Sequence, residues 1–180
     1  EKNYLLAKKL RDHGMSENVK YWHDEIGFNY RITNMQAAIG CAQLEKGKIF
    51  VKKKINIFNK YKMYLSKVPY VSFPHTNSNV KNSHWLTCII INNKIKNRKN
   101  IRNQLIKYLN ENGVEVRNGF YGASEMKIYK KYIKNKDYFR NSEEISSTLI
   151  TLPSSVSLKL AEIKYICNLI KNFKSSYTIV

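Results

Sequence analysis

From Thr33 to Leu65 apolar residues recur at spacings near three and four, and no other pattern in this 180-residue chain restricts its fold as strongly. Met35, Ala38, Ile39, Ala42, Ile49, Val51, Ile55, Phe58, Met63 and Leu65 fall on that period, which predicts one long helix. Thr33 or Asn34 can cap it by accepting a hydrogen bond from a free amide of the first turn. Its start is built of small residues, Ala37, Ala38, Gly40, Cys41 and Ala42, which admit a second backbone at close range. Its second half, from Lys46 to Lys67, is longer-chained and basic, with Gly47 as a candidate bend. A helix with two such ends is expected to connect two packing environments.

The flanking segments punctuate differently. Residues 2–12 read as a helix closed at Gly14, where glycine can take the left-handed conformation. Met15 to Arg31 has no sustained period and gathers Tyr21, Trp22, His23, Phe28 and Tyr30, an aromatic loop of a length that usually carries function. Pro69 and Pro74 place a boundary at about 67–80, giving an expected first segment of residues 1–66 and a small domain of residues 67–180. In the latter, Trp85 to Ile91 reads as a buried strand. Ile101, Leu105, Tyr108 and Leu109 line a helix ended by Gly113, and Val114 to Arg117 alternates as a second strand. Asn141 to Leu149 reads as a short helix with Asn141 and Glu144 spaced as a capping box. Ile150 to Leu152 is a short strand stopped by Pro153, and Leu160 to Phe173 is an amphipathic helix capped by Ser157. Strands alternating with helices predict a compact α/β sandwich, one small sheet covered by helices.

The net charge of +19 raises the question of nucleic acid. Only 6 of the 32 basic residues are Arg, and the 26 Lys are spread over almost the whole length beside 21 Asn. A sequence reader of DNA concentrates Arg and Lys on one element, so a solvated basic surface is expected, with no specific nucleic-acid partner. No apolar run approaches the roughly 20 residues of a membrane span, and no signal peptide is visible, so a cytoplasmic protein without a membrane partner is expected. Cys41, Cys88 and Cys167 are too few and too separated for a disulfide framework or metal site; each is expected to be a small buried thiol. His13, His23, His75 and His84 show no metal-ligand spacing.

The run Gly27-Phe28-Asn29-Tyr30-Arg31-Ile32-Thr33-Asn34-Met35-Gln36-Ala37-Ala38-Ile39-Gly40-Cys41-Ala42-Gln43-Leu44-Glu45 closely resembles the signature of the DegT/DnrJ/EryC1/StrS family of sugar-nucleotide aminotransferases that use pyridoxal phosphate. Arg117-Asn118-Gly119-Phe120-Tyr121-Gly122-Ala123-Ser124-Glu125-Met126-Lys127-Ile128-Tyr129 resembles the family's second landmark, a loop near the sugar-nucleotide site. Leu152-Pro153-Ser154-Ser155 resembles its closing segment. Here Asn118 replaces a common Pro, Gly122-Ala123 replaces Pro-Leu, and Ser124 stands where many members have His, so this loop is expected to be more flexible.

The resemblance implies the C-terminal part of a fold-type-I, aspartate aminotransferase-like enzyme: the tail of the large cofactor domain, the connecting helix and the small α/β domain. It implies pyridoxal 5'-phosphate as cofactor, a homodimer with shared active sites, and amino transfer from glutamate to a nucleotide-linked 4-keto-6-deoxy sugar, in the manner of a perosamine synthase. It gives Asn29 the role of reaching the phosphate of the neighbouring subunit's cofactor, a neutral donor to a bound anion. Arg31 is a second candidate for phosphate or a substrate anion, with an interface ion pair as the competing role. Phe120 and Tyr121 are candidates to flank the sugar or base, with core packing as the alternative, and His23 is a candidate near the same substrate. The family's lysine loop, followed by Gly-Glu-Gly-Gly, has no match here, and the chain opens on Glu1 without a start methionine. The chain therefore reads as a piece of something longer, with no catalytic residue of its own and the Schiff-base lysine expected upstream. Two rival readings remain at this point: a non-catalytic fragment or pseudoenzyme, and a basic nucleic-acid-binding module.

Overall fold

A computed structural model of the chain describes residues 1–174. They divide into two compact units, residues 1–48 and the residues from 49 onward.

The first unit opens with helix α1, Lys2–Arg11. Lys9 O accepts from both the Asp12 and the Gly14 amides, and the chain then doubles back on itself. The segment after Met15 returns antiparallel to residues 10–16: Ser16 N donates to Trp22 O, Asp24 N to Gly14 O, Phe28 N to Leu10 O and Tyr30 N to Arg11 O. Helix α2, Asn34–Glu45, follows from a capping box in which Thr33 Oγ1 accepts from Gln36 N at 3.3 Å and Gln36 Oε1 accepts from Thr33 N at 2.9 Å. That is one of the two caps its sequence offers, with Asn34 the first residue of the helix. Neither α1 nor α2 buries a residue within the unit, and Met35 (79% exposed) and Leu44 (80%) stand in the open.

The expected single long helix is two. Helix α2 ends at Lys46, whose amide turns back to Gln43 and Leu44 carbonyls, and α3 starts afresh over Gly47–Leu65. Gly47 is thus a helix start; the break falls one residue ahead of it. The last two turns of α3 bury Ile57, Phe58, Tyr61 and Leu65 in the second unit, so this helix is part of that unit's core.

The sheet of the second unit has the order β1-β2-β4-β3 and is antiparallel throughout. Its strands are β1 (Val71–Ser72), β2 (Thr87–Ile91), β3 (Arg117–Asn118) and β4 (Leu149–Leu152). Thr87, Ile89 and Ile91 alternate inward with Ile150 and Leu152. They pack with α4 (Arg98–Glu111), through Ile101, Leu105 and Leu109, and with α6 (Leu160–Asn172), through Ile163, Ile166, Cys167 and Ile170. Each such side chain contributes about 1.5–3 kcal/mol when fully buried. Two tyrosine hydroxyls inside the core are paired: Tyr61 OH donates to Pro153 O at 3.0 Å, and Tyr70 OH donates to Ile170 O.

Four local expectations are corrected. Val114 and Val116 are buried, but only Arg117–Asn118 pair as a strand. The amides of Val114 and Val116 are taken by Leu109 O and Asn110 Oδ1 at the end of α4, which leaves them unavailable to the sheet. Helix α5, Arg140–Thr148, starts ahead of Asn141 with Phe139 at its cap position, so the Asn141–Glu144 box does not form, and Glu144 makes a 2.8 Å ion pair with Arg98. Helix α6 is capped by its own Glu162, which accepts from Lys159 N at 2.6 Å, while Ser157 hydrogen bonds Ser155. Of the cysteines, Cys167 is buried and Cys88 partly so, whereas Cys41 on α2 is exposed.

Candidate functional site

The doubled-back chain of the first unit holds Asn29 by its backbone. Asn29 forms a bridge with Asp12, flanked by His13 N donating to Phe28 O (3.0 Å) and Tyr30 N donating to Arg11 O (3.0 Å). Two glycines permit this pairing. A Cβ on Gly27 would collide with His13 C and Gly14 N, and one on Gly14, at φ +64°, would collide with Glu25 O. Gly27, which opens the recognised signature, is therefore required by the crossing of two backbones. Lys9 pairs with Asp24 at 2.9 Å across the same turn, and that hydrogen bond raises the lysine's pKa.

Side chains beside this crossing point outward. Asn29 is exposed, and its amide has no partner among the described residues. Its two N–H groups and carbonyl are thus free for a ligand. Arg31 is exposed and makes one ion pair among the described residues, Nη1 to Asp12 Oδ2 at 3.3 Å. Solvent-exposed pairs of this kind are worth about 1 kcal/mol or less, so a phosphate can compete for the guanidinium. His23 Nδ1–H donates to His13 O at 2.9 Å, which ties one ring nitrogen to the backbone and leaves Nε2 outward. Phe28 and Tyr30 stack with centroids 5.0 Å apart. Asn29, Arg31 and His23 thus share one support, residues 12–15; Asp12, which braces two of them, carried no signal in the sequence beyond its place in that short run.

Phe120 and Tyr121 belong to the second unit. They are 78% and 62% exposed, so the alternative that they pack in the core is excluded within the chain. They ride on the loop that leaves β3, and this loop is better tied than its lost prolines suggest. Asn118 Oδ1 accepts from Arg102 Nη1 at 2.6 Å, Gly119 N donates to Leu149 O, Gly122 N donates to Glu125 Oε2 at 3.0 Å, and Ser124 Oγ donates to Glu143 Oε1 at 2.8 Å. Side-chain bonds stand where ring stiffness was expected to be missed. Arg102 was overlooked in the sequence, although a signal existed: it shares the i, i+3, i+7 face of Leu105 and Leu109, an arginine on an apolar stripe.

A cavity of about 690 Å³ lies at the opposite end of β4, lined by Lys54, Leu86, Val114, Leu152, Leu158 and Tyr165 among others. None of the five candidates lines it. In register, Asn118 faces Ile150 near the start of β4, whereas the cavity is bordered by Thr151 and Leu152 and the Pro-Ser-Ser turn beyond.

Comparison with known proteins places this arrangement. The profile of the DegT/DnrJ/EryC1/StrS aminotransferase family matches residues 2–171. The chain is 35% identical over 165 residues to GDP-perosamine synthase of Vibrio cholerae, covering 92% of the chain and 44% of the relative. It is 34% identical over 173 residues to the enzyme of the same name from Escherichia coli O157:H7, covering 96% of the chain and again 44% of the relative. It thus spans less than half the length of these curated relatives. Among solved structures, PseC of Helicobacter pylori, an aminotransferase, superposes with a TM-score of 0.78 at 21% identity over 91% of this chain and 43% of that one. The aminotransferase TlmJ of Streptoalloteichus hindustanus gives 0.79 at 17% identity, over 93% and 43%. The expected fold, the C-terminal part of a fold-type-I enzyme, is borne out.

Proposed function

The chain belongs to the DegT/DnrJ/EryC1/StrS aminotransferase family, and on that premise we propose that it is the C-terminal portion of an enzyme that moves an amino group from glutamate to a nucleotide-linked 4-keto-6-deoxy sugar. Residues 1–66 are the tail of the large domain and the connecting helix, and residues 67–180 the small domain. The likeness to GDP-perosamine synthases over more than nine-tenths of the chain supports a sugar nucleotide as the acceptor. The observation that carries the site is Asn29: its backbone is held by the Asp12 bridge, and its amide is exposed without a partner among the described residues.

The family's cofactor is pyridoxal phosphate, which when bound supplies the electron sink for amino transfer. The donor set on this chain fits the phosphate of that group and nothing else of it. Asn29 offers an uncharged N–H, and Arg31 adds a cation whose one ion pair among the described residues is with half-buried Asp12. Charge-assisted donation to phosphate favours such a pair. Phe120 and Tyr121 present aromatic faces for the sugar or base, and His23 presents Nε2 to substrate. The Schiff-base lysine lies upstream of Glu1 in this reading. The exposed apolar side chains of the first unit, among them Met35, Ile39 and Leu44, support a homodimer in which Asn29 reaches the partner's cofactor, because soluble proteins rarely leave such patches open. The enzyme works in the cytoplasm.

The holoenzyme, supplied with glutamate and a panel of nucleotide-linked 4-keto-6-deoxy sugars, is expected to release 2-oxoglutarate and the 4-amino sugar, with the GDP-linked substrate tested first. Glutamate consumption with none of these sugars would refute the acceptor class.

A further inference from the structure

Arg102 lies on the core-facing side of α4, 5% exposed, between Ile101 and Leu105. A buried guanidinium is costly unless its charge and donors are answered, and a carboxylate is the usual answer. No ion pair among the described residues includes Arg102. Its Nη1 donates to a neutral acceptor, Asn118 Oδ1, at 2.6 Å, and its Nε has no partner among the described residues. Burial pushes its pKa down, while Tyr121 and Glu125 of the loop oppose that shift. The charge is thus held by the core and felt by the loop.

A structural filler would not take this form. At a position flanked by Ile101 and Leu105 a leucine or methionine would pack at no desolvation cost, and the arginine's one strong bond goes outward to the residue where β3 ends. Beyond that residue Gly119 passes so close to Leu149 that a Cβ would meet its side chain at 3.1 Å. The loop therefore leaves the sheet between a fixed donor and a fixed wall.

We propose that Arg102 is the positioning residue of the aromatic loop: anchored in α4, it grips Asn118 and thereby sets where Phe120 and Tyr121 stand. Its meaning for substrate rests on the function proposed above, but the tether is measured without substrate, so the two ideas fail separately.

The test is hydrogen exchange on the full chain, comparing the loop 118–126 with β2 and with the urea midpoint. Arg102→Met and Asn118→Ala each raise exchange at Gly119 and Gly122 about tenfold, beyond any change in β2. The double variant is no worse than either single one, because both remove one bond. Arg102→Lys, which keeps a charged donor, recovers part of the protection, and Asn118→Asp, which supplies the missing carboxylate, exceeds the wild type. Loop exchange that tracks β2 in every variant, or additive effects in the double variant, would overturn the proposal. Should Arg102→Met fail to fold, Asn118→Ala and Asn118→Asp, at an exposed position, decide the matter alone.

Discussion

Gly14 and Gly27 lie back to back: Gly14 N occupies the space a Cβ on Gly27 would need, and Glu25 O, two residues before Gly27, occupies the space a Cβ on Gly14 would need. The consequence reaches the candidate site, since the crossing they permit is what pairs Asp12 with Asn29.

Gly27→Ala is therefore expected to break the crossing rather than adjust it, because its contacts are backbone atoms that cannot rotate away. The local cost is about 3 kcal/mol or more, in the range of severe steric substitutions. Amide exchange at His13, Phe28 and Tyr30 should rise together while Ile89 and Ile150 keep their protection. Unchanged protection at Phe28 would show that the two strands do not depend on this contact.

Asn29 can be tested in the holoenzyme. Asn29→Ala removes a donor to phosphate and is expected to weaken pyridoxal phosphate about tenfold, whereas Asn29→Asp places a negative charge against it and weakens it further. Equilibrium titration of the cofactor measures both. Equal affinities for all three proteins would remove Asn29 from the phosphate site.

Burial separates two of the thiols. That of Cys167 is pushed up to about 12 from its ordinary 9.0 by desolvation, with Lys171 opposing. The folded state holds this proton longer than the unfolded one, so the stability it confers is full below about pH 9 and is lost as pH rises towards 12. Urea midpoints at pH 7, 9 and 11 should fall more steeply for the wild type than for Cys167→Ala. Cys41, exposed on α2, should be alkylated by iodoacetamide in the native protein at pH 8 while Cys167 is spared. Alkylation of Cys167 at the same rate would contradict its burial.

Tyr61 supplies a stability test inside the core. Its hydroxyl donates to Pro153 O across the second unit, and Tyr61→Phe leaves that carbonyl without this donor. A loss of about 1–2 kcal/mol is expected in urea unfolding. A variant as stable as wild type would mean that another donor takes over the carbonyl.

The sequence by itself determined where most helical segments lie, the paired strands β2 and β4, a cap at Thr33 or Asn34 and the family, because each is written in local periodicity or in a contiguous run of residues. It also singled out Asn29 and Arg31 by their place in that run. What it left open depends on groups far apart along the chain. Glu144 pairs with the distant Arg98, Val114 and Val116 miss the sheet because α4 takes their amides, and the helical period runs unbroken past Lys46, where the backbone restarts. The role of Gly27 is the clearest case. Its presence in the signature is legible, but that Gly14 is the reason, thirteen positions earlier, was decided only when the two backbones crossed, since steric exclusion acts between atoms that the sequence does not place side by side.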